Sequence, residues 1–182
     1  MYTGKLIRLR EYRKEDIPLA QQFLNDSETR SLMNPRSAYP YTLADEEKWF
    51  EALSANKDTY SFAIETLEGG KYIGGCGING VGWKMRVAEI GIFIGDKNYW
   101  GKGYGTDAME VLVRVCFEQM NMNKISLHVF SYNERARLCY EKCGFSVEGV
   151  LRQEIYANGQ YHDDIAMGLL RSEWESIHKD GE

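Results

Sequence analysis

The chain has 182 residues, of which 43% are hydrophobic and 13% aromatic, enough for a folded core and well above a disordered composition. A net charge of −5 disfavours sequence-independent nucleic-acid binding, which needs a basic face. No run approaches the roughly 18 apolar residues of a membrane-spanning helix, and MYTGKLIRLREY lacks the pattern of a secretory leader, so the chain reads as soluble and cytoplasmic.

In chain order, KLIRLR alternates apolar and basic residues and predicts a strand, and Glu15 to Leu24 has helical spacing. Asn25 to Thr42 is polar, broken by Pro35 and Pro40, and predicts a loop with at most a short helical turn. Asp45 to Leu53 opens acidic and predicts a helix. Tyr60–Thr66 and Lys71–Ile78 predict strands joined by LEGG, and VAEIGIFIGD from Val87 predicts another. Thr106 to Met120 carries Ala108, Val111, Leu112, Val115 and Cys116 on one helical face, and KISLHVF follows as a strand. Asn133 suits the N-cap of NERARLCYEKCG, with Gly144 as its C′ residue. FSVEGVLRQEIY and YHDDIAMGLL then form a hairpin around Asn158-Gly159, and Ser172 to His178 adds a terminal helical turn. The order predicts one α/β domain over residues 1–182 with an antiparallel start and end. The four cysteines are too sparse for a disulfide scaffold and lack partners for a metal site, so they read as buried thiols.

The stretch NYWGKGYGTDA places three glycines between a strand and a helix. It fits neither the P-loop spacing nor G-x-G-x-x-G. What it keeps is the physics of a helix N-terminus, where free amides and the helix dipole favour an anion. A ligand-free tight turn is the alternative.

With its surroundings, the stretch resembles the pyrophosphate motif Gln/Arg-x-x-Gly-x-Gly/Ala of the GNAT superfamily of acetyl-CoA-dependent N-acyltransferases. Trp100 stands in the Gln/Arg slot, and Gly103 and Gly105 in the glycine slots. NERARLCYEKCGF resembles a second family block through Asn133, Ala136, Tyr140, Gly144 and Phe145. The closing hairpin, RLREYRKEDIP and EEKWF are similar to the branch that holds ribosomal-protein alanine and spermidine N-acetyltransferases.

The resemblance implies a mixed α/β fold with a mostly antiparallel sheet of about seven strands, flanked by helices and splayed between the fourth and fifth. It implies acetyl-CoA as cofactor, held by Ile92, Phe93 and Ile94 along the strand edge and by Trp100, Gly101, Lys102, Gly103, Tyr104, Gly105 and Thr106 around the pyrophosphate. Asn133, Ala136 and Tyr140 complete that set. Tyr140 falls on the general-acid position, where a phenol can protonate a leaving thiolate. An alkylamine is about 99.9% protonated at pH 7, which costs roughly 4 kcal/mol before attack, so a base is needed. Glu89 on the fourth strand is the candidate, with an ordered water as the alternative. Acceptor candidates are Glu28, Tyr39, Tyr156 and Tyr161, with Asp163 and Asp164 at the hairpin. The implied activity is direct acetyl transfer to a primary amine: a protein N-terminus, a polyamine or a small molecule. The competing reading is a non-catalytic acyl-CoA-binding or polyamine-sensing module. The implied assembly is a homodimer, with no metal, nucleic acid or membrane involved.

Overall fold

The computed structural model describes residues 1–33 and 39–179. Eight strands form one sheet in the order β1-β2-β3-β4-β5-β6-β8-β7. They are β1 (Tyr2–Thr3), β2 (Ile7–Arg10), β3 (Tyr60–Thr66), β4 (Tyr72–Gly82), β5 (Val87–Ile94), β6 (Lys124–Phe130), β7 (Ser146–Ala157) and β8 (Gln160–Leu170). The short β1 raises the count above the expected seven, and the strands expected fourth and fifth are β5 and β6. Every pairing is antiparallel except β5 with β6.

That parallel pairing ends early. Val87, Ala88 and Glu89 oppose Lys124, Ile125 and Ser126, and no pairing of the two strands extends past them. Beyond this point β5 stays on β4, as far as Ile94 opposite Gly74, while β6 stays on β8, as far as Phe130 opposite Asp164. A wedge therefore opens, with unpaired strand edge along Ile90–Ile94. This is the expected splay.

Helices α1 (Ile17–Asn25), α2 (Ser27–Met33) and α3 (Leu43–Ala52) precede the main strands. The predicted 25–42 loop thus contains a helix of seven residues, begun where Asp26 Oδ1 accepts the Thr29 amide at 3.0 Å. The centre of that loop, residues 34–38, lies outside the described residues. Helix α3 begins two residues earlier than predicted because Thr42 and Asp45 form a reciprocal capping box. One buried cluster gathers Tyr12, Ile17, Ala20, Ala63 and Tyr72 with Trp49 and Phe50. The larger core lies against α4 (Tyr104–Arg114) and α5 (Glu134–Lys142). A π-helical turn, Val115–Gln119, follows α4, and α6 (Arg171–Lys179) closes the chain, its Trp174 packing 5.3 Å from Phe117.

Two polar junctions fix the frame. Arg10 is buried although strand alternation suggests an outward residue. Its guanidinium meets Asp16 at 2.7 and 2.9 Å and Glu65 at 2.5 Å, tying β2 to the entry of α1 and to β3. Asp107 on α4 accepts the amides of Lys5, Leu6 and Ile7 at 2.9, 2.7 and 3.0 Å. A Cβ on Gly4 would lie 2.4 Å from that carboxylate, so Gly4 allows the close approach.

Candidate active site

The glycine stretch forms the entry to α4. Gly101 and Gly103 have φ of 70° and 88°, in the left-handed region that costs other residues about 1–2 kcal/mol. Gly103 is the N-cap and has no side chain to satisfy the helix. A bond from the Asp107 amide to the Gly103 carbonyl, at 2.9 Å, starts the helical ladder, so the amides of Tyr104, Gly105 and Thr106 precede it. Gly105 differs from its neighbours. A Cβ there would make an ordinary 3.7 Å contact with Ile94, so neither crowding nor φ demands glycine. It lines the first of the two cavities that flank the wedge.

Trp100 does more than fill a departed polar slot. Its indole N–H donates to the Ile94 carbonyl at 2.6 Å, fastening the loop to the end of β5. The Arg135 guanidinium lies 3.6 Å from the centroid of the same ring, and Lys97 Nζ lies 5.6 Å from it. The loop therefore gains a cation from α5 where the sequence pattern suggested the loss of a polar group.

Two cavities flank the wedge. The first, of about 250 Å³, is lined by Ile92, Phe93 and Ile94, by Trp100, Gly101, Gly103, Gly105 and Thr106, and by Asn133, Ala136 and Tyr140. The structure thus brings together eleven of the thirteen residues expected at the cofactor. Lys102 and Tyr104 are outside the lining. Lys102 points to solvent, and Tyr104 packs edge-on to Tyr99 at 4.8 Å against the core. Arg135, Leu138 and Cys139 line this cavity without having been expected there. Helical spacing could have found Cys139, three residues after Ala136 on the same helix face.

Along β5, Gly95 gives its amide to Ile73 on β4, at 2.8 Å. Backbone alternation then turns the Ile92 and Ile94 polar groups toward the wedge. Trp100 occupies the Ile94 carbonyl, which leaves the Ile94 amide and both polar groups of Ile92 open along this edge.

The second cavity, of about 330 Å³, lies on the other side of the wedge. Tyr12, Trp49, Phe93, Phe130 and Tyr140 give it aromatic walls, and Ser61, Asn79, His128 and Asn133 add polar groups. Gly75 makes room for this wall, since a Cβ there would sit 1.9 Å from the Tyr12 hydroxyl and 2.9 Å from Phe93. The two cavities share Leu32, Met33, Ile92, Phe93, Asn133 and Tyr140.

Tyr140 stands where they meet and is only 5% exposed. Burial, and then the adjacent Cys139 and Cys143 thiols, push its phenol above the ordinary tyrosine value. It is a proton donor at neutral pH. Asn133 caps its helix by accepting the Ala136 amide at 3.2 Å. Cys76, Cys116 and Cys143 are buried as expected, but Cys139 is half-buried and faces the first cavity. Hydrogen bonding from Cys143, and also from the Thr106 hydroxyl at 3.5 Å, draws its thiol below the ordinary cysteine value.

Several expected residues stand apart from both cavities. Glu89 is exposed at the closed end of the wedge, opposite Ser126. It shares a sheet face with Gly91 and Phe93, about 7 Å along the strand from Gly91. Glu28 pairs with Lys97 at 2.9 Å on the surface. Tyr39 is 81% exposed and accepts a hydrogen bond from Arg30 at its carbonyl. Tyr156 and Tyr161 pack against each other at a tilt, their ring centroids 5.1 Å apart, near the tip of a hairpin whose pairing continues to Ala157 opposite Gln160. That long pairing carries both rings away from the wedge. Asp163 accepts the Gln153 amide at 2.9 Å, whereas Asp164 is buried behind His128.

A family model described as an acetyltransferase (GNAT) domain matches residues 7–146. An uncharacterized N-acetyltransferase, p20, of Bacillus licheniformis is 30% identical over 178 residues, covering 96% of this chain and 97% of that protein. Spermidine N(1)-acetyltransferase of Escherichia coli (strain K12) is 29% identical over 187 residues, covering 98% and 94%. Among solved structures, Vibrio cholerae spermidine N-acetyltransferase in complex with CoA and spermine superposes with a TM-score of 0.84 at 26% identity, over 92% of this chain and 97% of that one. The matched span contains the glycine loop, the splayed strands and α5, and this chain belongs to the GNAT acetyltransferase family.

Proposed function

We propose that the whole chain, 1–182, is one N-acetyltransferase domain that acetylates a primary amine entering the aromatic cavity. The observation that supports this most is the meeting of two cavities at Ile92, Phe93 and Tyr140, across an open strand edge. The residues on the first side fit acetyl-CoA. Free amides at the head of α4, two left-handed glycines and the Arg135 guanidinium suit a pyrophosphate, and the Ile92 edge suits an extended amide-bearing arm. Bound acetyl-CoA supplies the acetyl thioester. The Ile92 amide is aimed to polarise its carbonyl, and Tyr140 donates the proton that the leaving sulfur needs.

The second side bears on the acceptor. Among the described residues its lining contains no carboxylate. Aromatic faces and neutral amides hold a single cationic amine by cation–π contact and hydrogen bonds, but offer little to the remaining charges of a polyamine. The relatives named for spermidine make polyamines the obvious competitor. The acceptor we favour therefore carries one amine next to an apolar body, as in an arylalkylamine or a peptide N-terminus with an apolar first residue. The enzyme works in the cytoplasm as a homodimer on this reading; among the described residues no helix is long and apolar enough to cross a membrane. Thiol release from acetyl-CoA over a panel of phenethylamine, short peptides, spermidine and spermine tests the assignment. The highest kcat/KM is expected with the monoamines or peptides. A clear preference for spermine would overturn the acceptor assignment.

A further inference from the structure

The base for the reaction has so far no residue in the cavity. Glu89 stands outside the lining, and three of the four titratable lining groups hold their protons. Burial pushes the Tyr12 and Tyr140 phenols and the Cys76 thiol upward, so at neutral pH they donate protons and do not take them. The fourth is His128.

His128 lies on β6 beyond the point where β5 leaves it, on the strand face shared with Phe130. Its Nδ1 is 3.0 Å from Asp164 Oδ2. The Asp164 side chain is 9% exposed, and its other oxygen is buried with no hydrogen-bond partner. A buried carboxylate held this way is costly unless a cation stands against it. The imidazole, once protonated, is that cation. Of the other titratable groups nearby, two are engaged elsewhere and the third, Glu89, is a second carboxylate at the closed end of the wedge. Lys124, on the same strand, pairs with Glu148 at 2.7 Å, and His162 packs edge-on to Tyr132 at 4.6 Å. Glu89 on β5 lies opposite Ser126, one residue back on that face of β6.

We propose that His128 is the base that deprotonates the acceptor amine, with Asp164 as its positioning residue. The inference rests on the N-acetyltransfer reading above and adds the missing proton acceptor. Asp164 holds the proton on Nδ1, which leaves the Nε2 lone pair for the cavity. Nε2 takes one proton from R–NH3⁺, directly or through a water. The resulting neutral amine forms the C–N bond as the C–S bond breaks. A second nitrogen proton is lost as the amide forms, and the sulfur is protonated by Tyr140, which regains that proton. The balance is R–NH3⁺ plus acetyl thioester giving N-acetylamine, thiol and H⁺, and His128 passes the last proton to solvent.

The test uses the full chain and the amine that gives the fastest wild-type thiol release. His128→Gln is expected to lower kcat/KM at pH 7 by about 10²-fold, within the usual range for a general base. The profile should shift upward, with activity returning as pH approaches the amine's own pKa, while calorimetric affinity for acetyl-CoA stays the same. Added imidazole should restore part of the activity of His128→Ala. In ¹⁵N NMR of the ligand-free protein, neutral His128 should carry its proton on Nδ1, and Asp164→Asn should remove that preference. His128→Gln sits at a partly exposed position and carries the test even if the buried Asp164 variant fails to fold. An unshifted profile, an Nε2-protonated tautomer, or an equal loss of acetyl-CoA affinity would each overturn the dyad. A wild type whose thiol release no amine accelerates would overturn the N-acetyltransfer reading and the dyad with it, whereas an active wild type with an indifferent His128→Gln overturns the dyad alone.

Discussion

Replacing Asp107 by alanine probes the joint between the N-terminal strand and the cofactor loop. The carboxylate accepts three backbone amides, and hydrogen bonds to a charged group contribute about 1.5–3 kcal/mol each. They do not add fully. Lys5 and Leu6 are exposed enough for water to replace part of the loss, whereas Ile7 is fully buried and its amide would be orphaned. Keeping the full cost at Ile7 and a fraction at the other two gives about 4 kcal/mol, a large share of a typical domain's 5–15 kcal/mol. For a chain of this size that corresponds to a fall of about 8–16 °C in Tm. In urea it lowers the midpoint by about 2 M for a slope near 2 kcal/mol/M. The effect should extend to binding, because Leu6 packs beneath Gly103: a Cβ there would lie 3.6 Å from Leu6 Cδ1. Calorimetry should show weaker acetyl-CoA binding at temperatures where the variant is still folded. A loss below about 1 kcal/mol would refute the reasoning, since it would mean that water or a shifted strand satisfies all three amides.

Tyr140→Phe keeps the ring that packs beside Phe145 and removes the proton donor, so kcat should fall about 10²-fold or more with acetyl-CoA affinity unchanged; stopped-flow thiol release and calorimetry separate the two. Glu65 gives an acid-stability prediction. Burial pushes its carboxyl up, but Arg10 and Arg8 pull it further down, so its folded value lies below the unfolded one. Its contribution is therefore full above about pH 4.5 and is lost as pH falls through the depressed folded value. Asp26, drawn down chiefly by Lys97, adds to the same window. Urea titrations between about pH 5 and 3 should show wild-type stability falling more steeply than that of Glu65→Gln, which should also be weaker at pH 7 because Arg10 loses a buried partner.

The elements that the sequence announced are those with local causes. Asn158 and Gly159 both have positive φ, which is the two-residue hairpin turn that their identities predict. Gly144 at φ 94° ends α5 as a C′ glycine should, and Asn133 caps its start. What escaped reading has causes that are distant along the chain. The β1 strand exists only because Tyr2 and Thr3 pair with Leu9 and Arg8. Arg10 is buried against its strand pattern because Asp16 and Glu65 converge on it from other elements. The two-residue offset at α3 comes from a capping box whose acidic member, Asp45, is the third helical residue and not the first.

The same division runs through the site. The cofactor side is one nearly continuous text, β5 to α4 and then α5, so a motif in order carries most of its geometry. Even there, Arg135 was hidden because its role depends on Trp100, 35 positions earlier, offering a ring for it to stack on. The acceptor side has no such text. Tyr12, Trp49, Ser61, Gly75, Phe93 and His128 come from six separate elements or their connections, and only the folded sheet makes them neighbours. The resemblance points to the first helix-helix loop and the last hairpin, and so to Glu28, Tyr39, Tyr156 and Tyr161, which the fold leaves on the surface. The pattern that would have worked is alternation. His128 and Phe130 share one face of β6, Asp164 lies opposite Phe130 on β8, and the wedge is open only on the stretch of β6 beyond Ser126. A histidine on that stretch with a carboxylate diagonal to it is a local consequence of register, and register is what a single sequence reveals least.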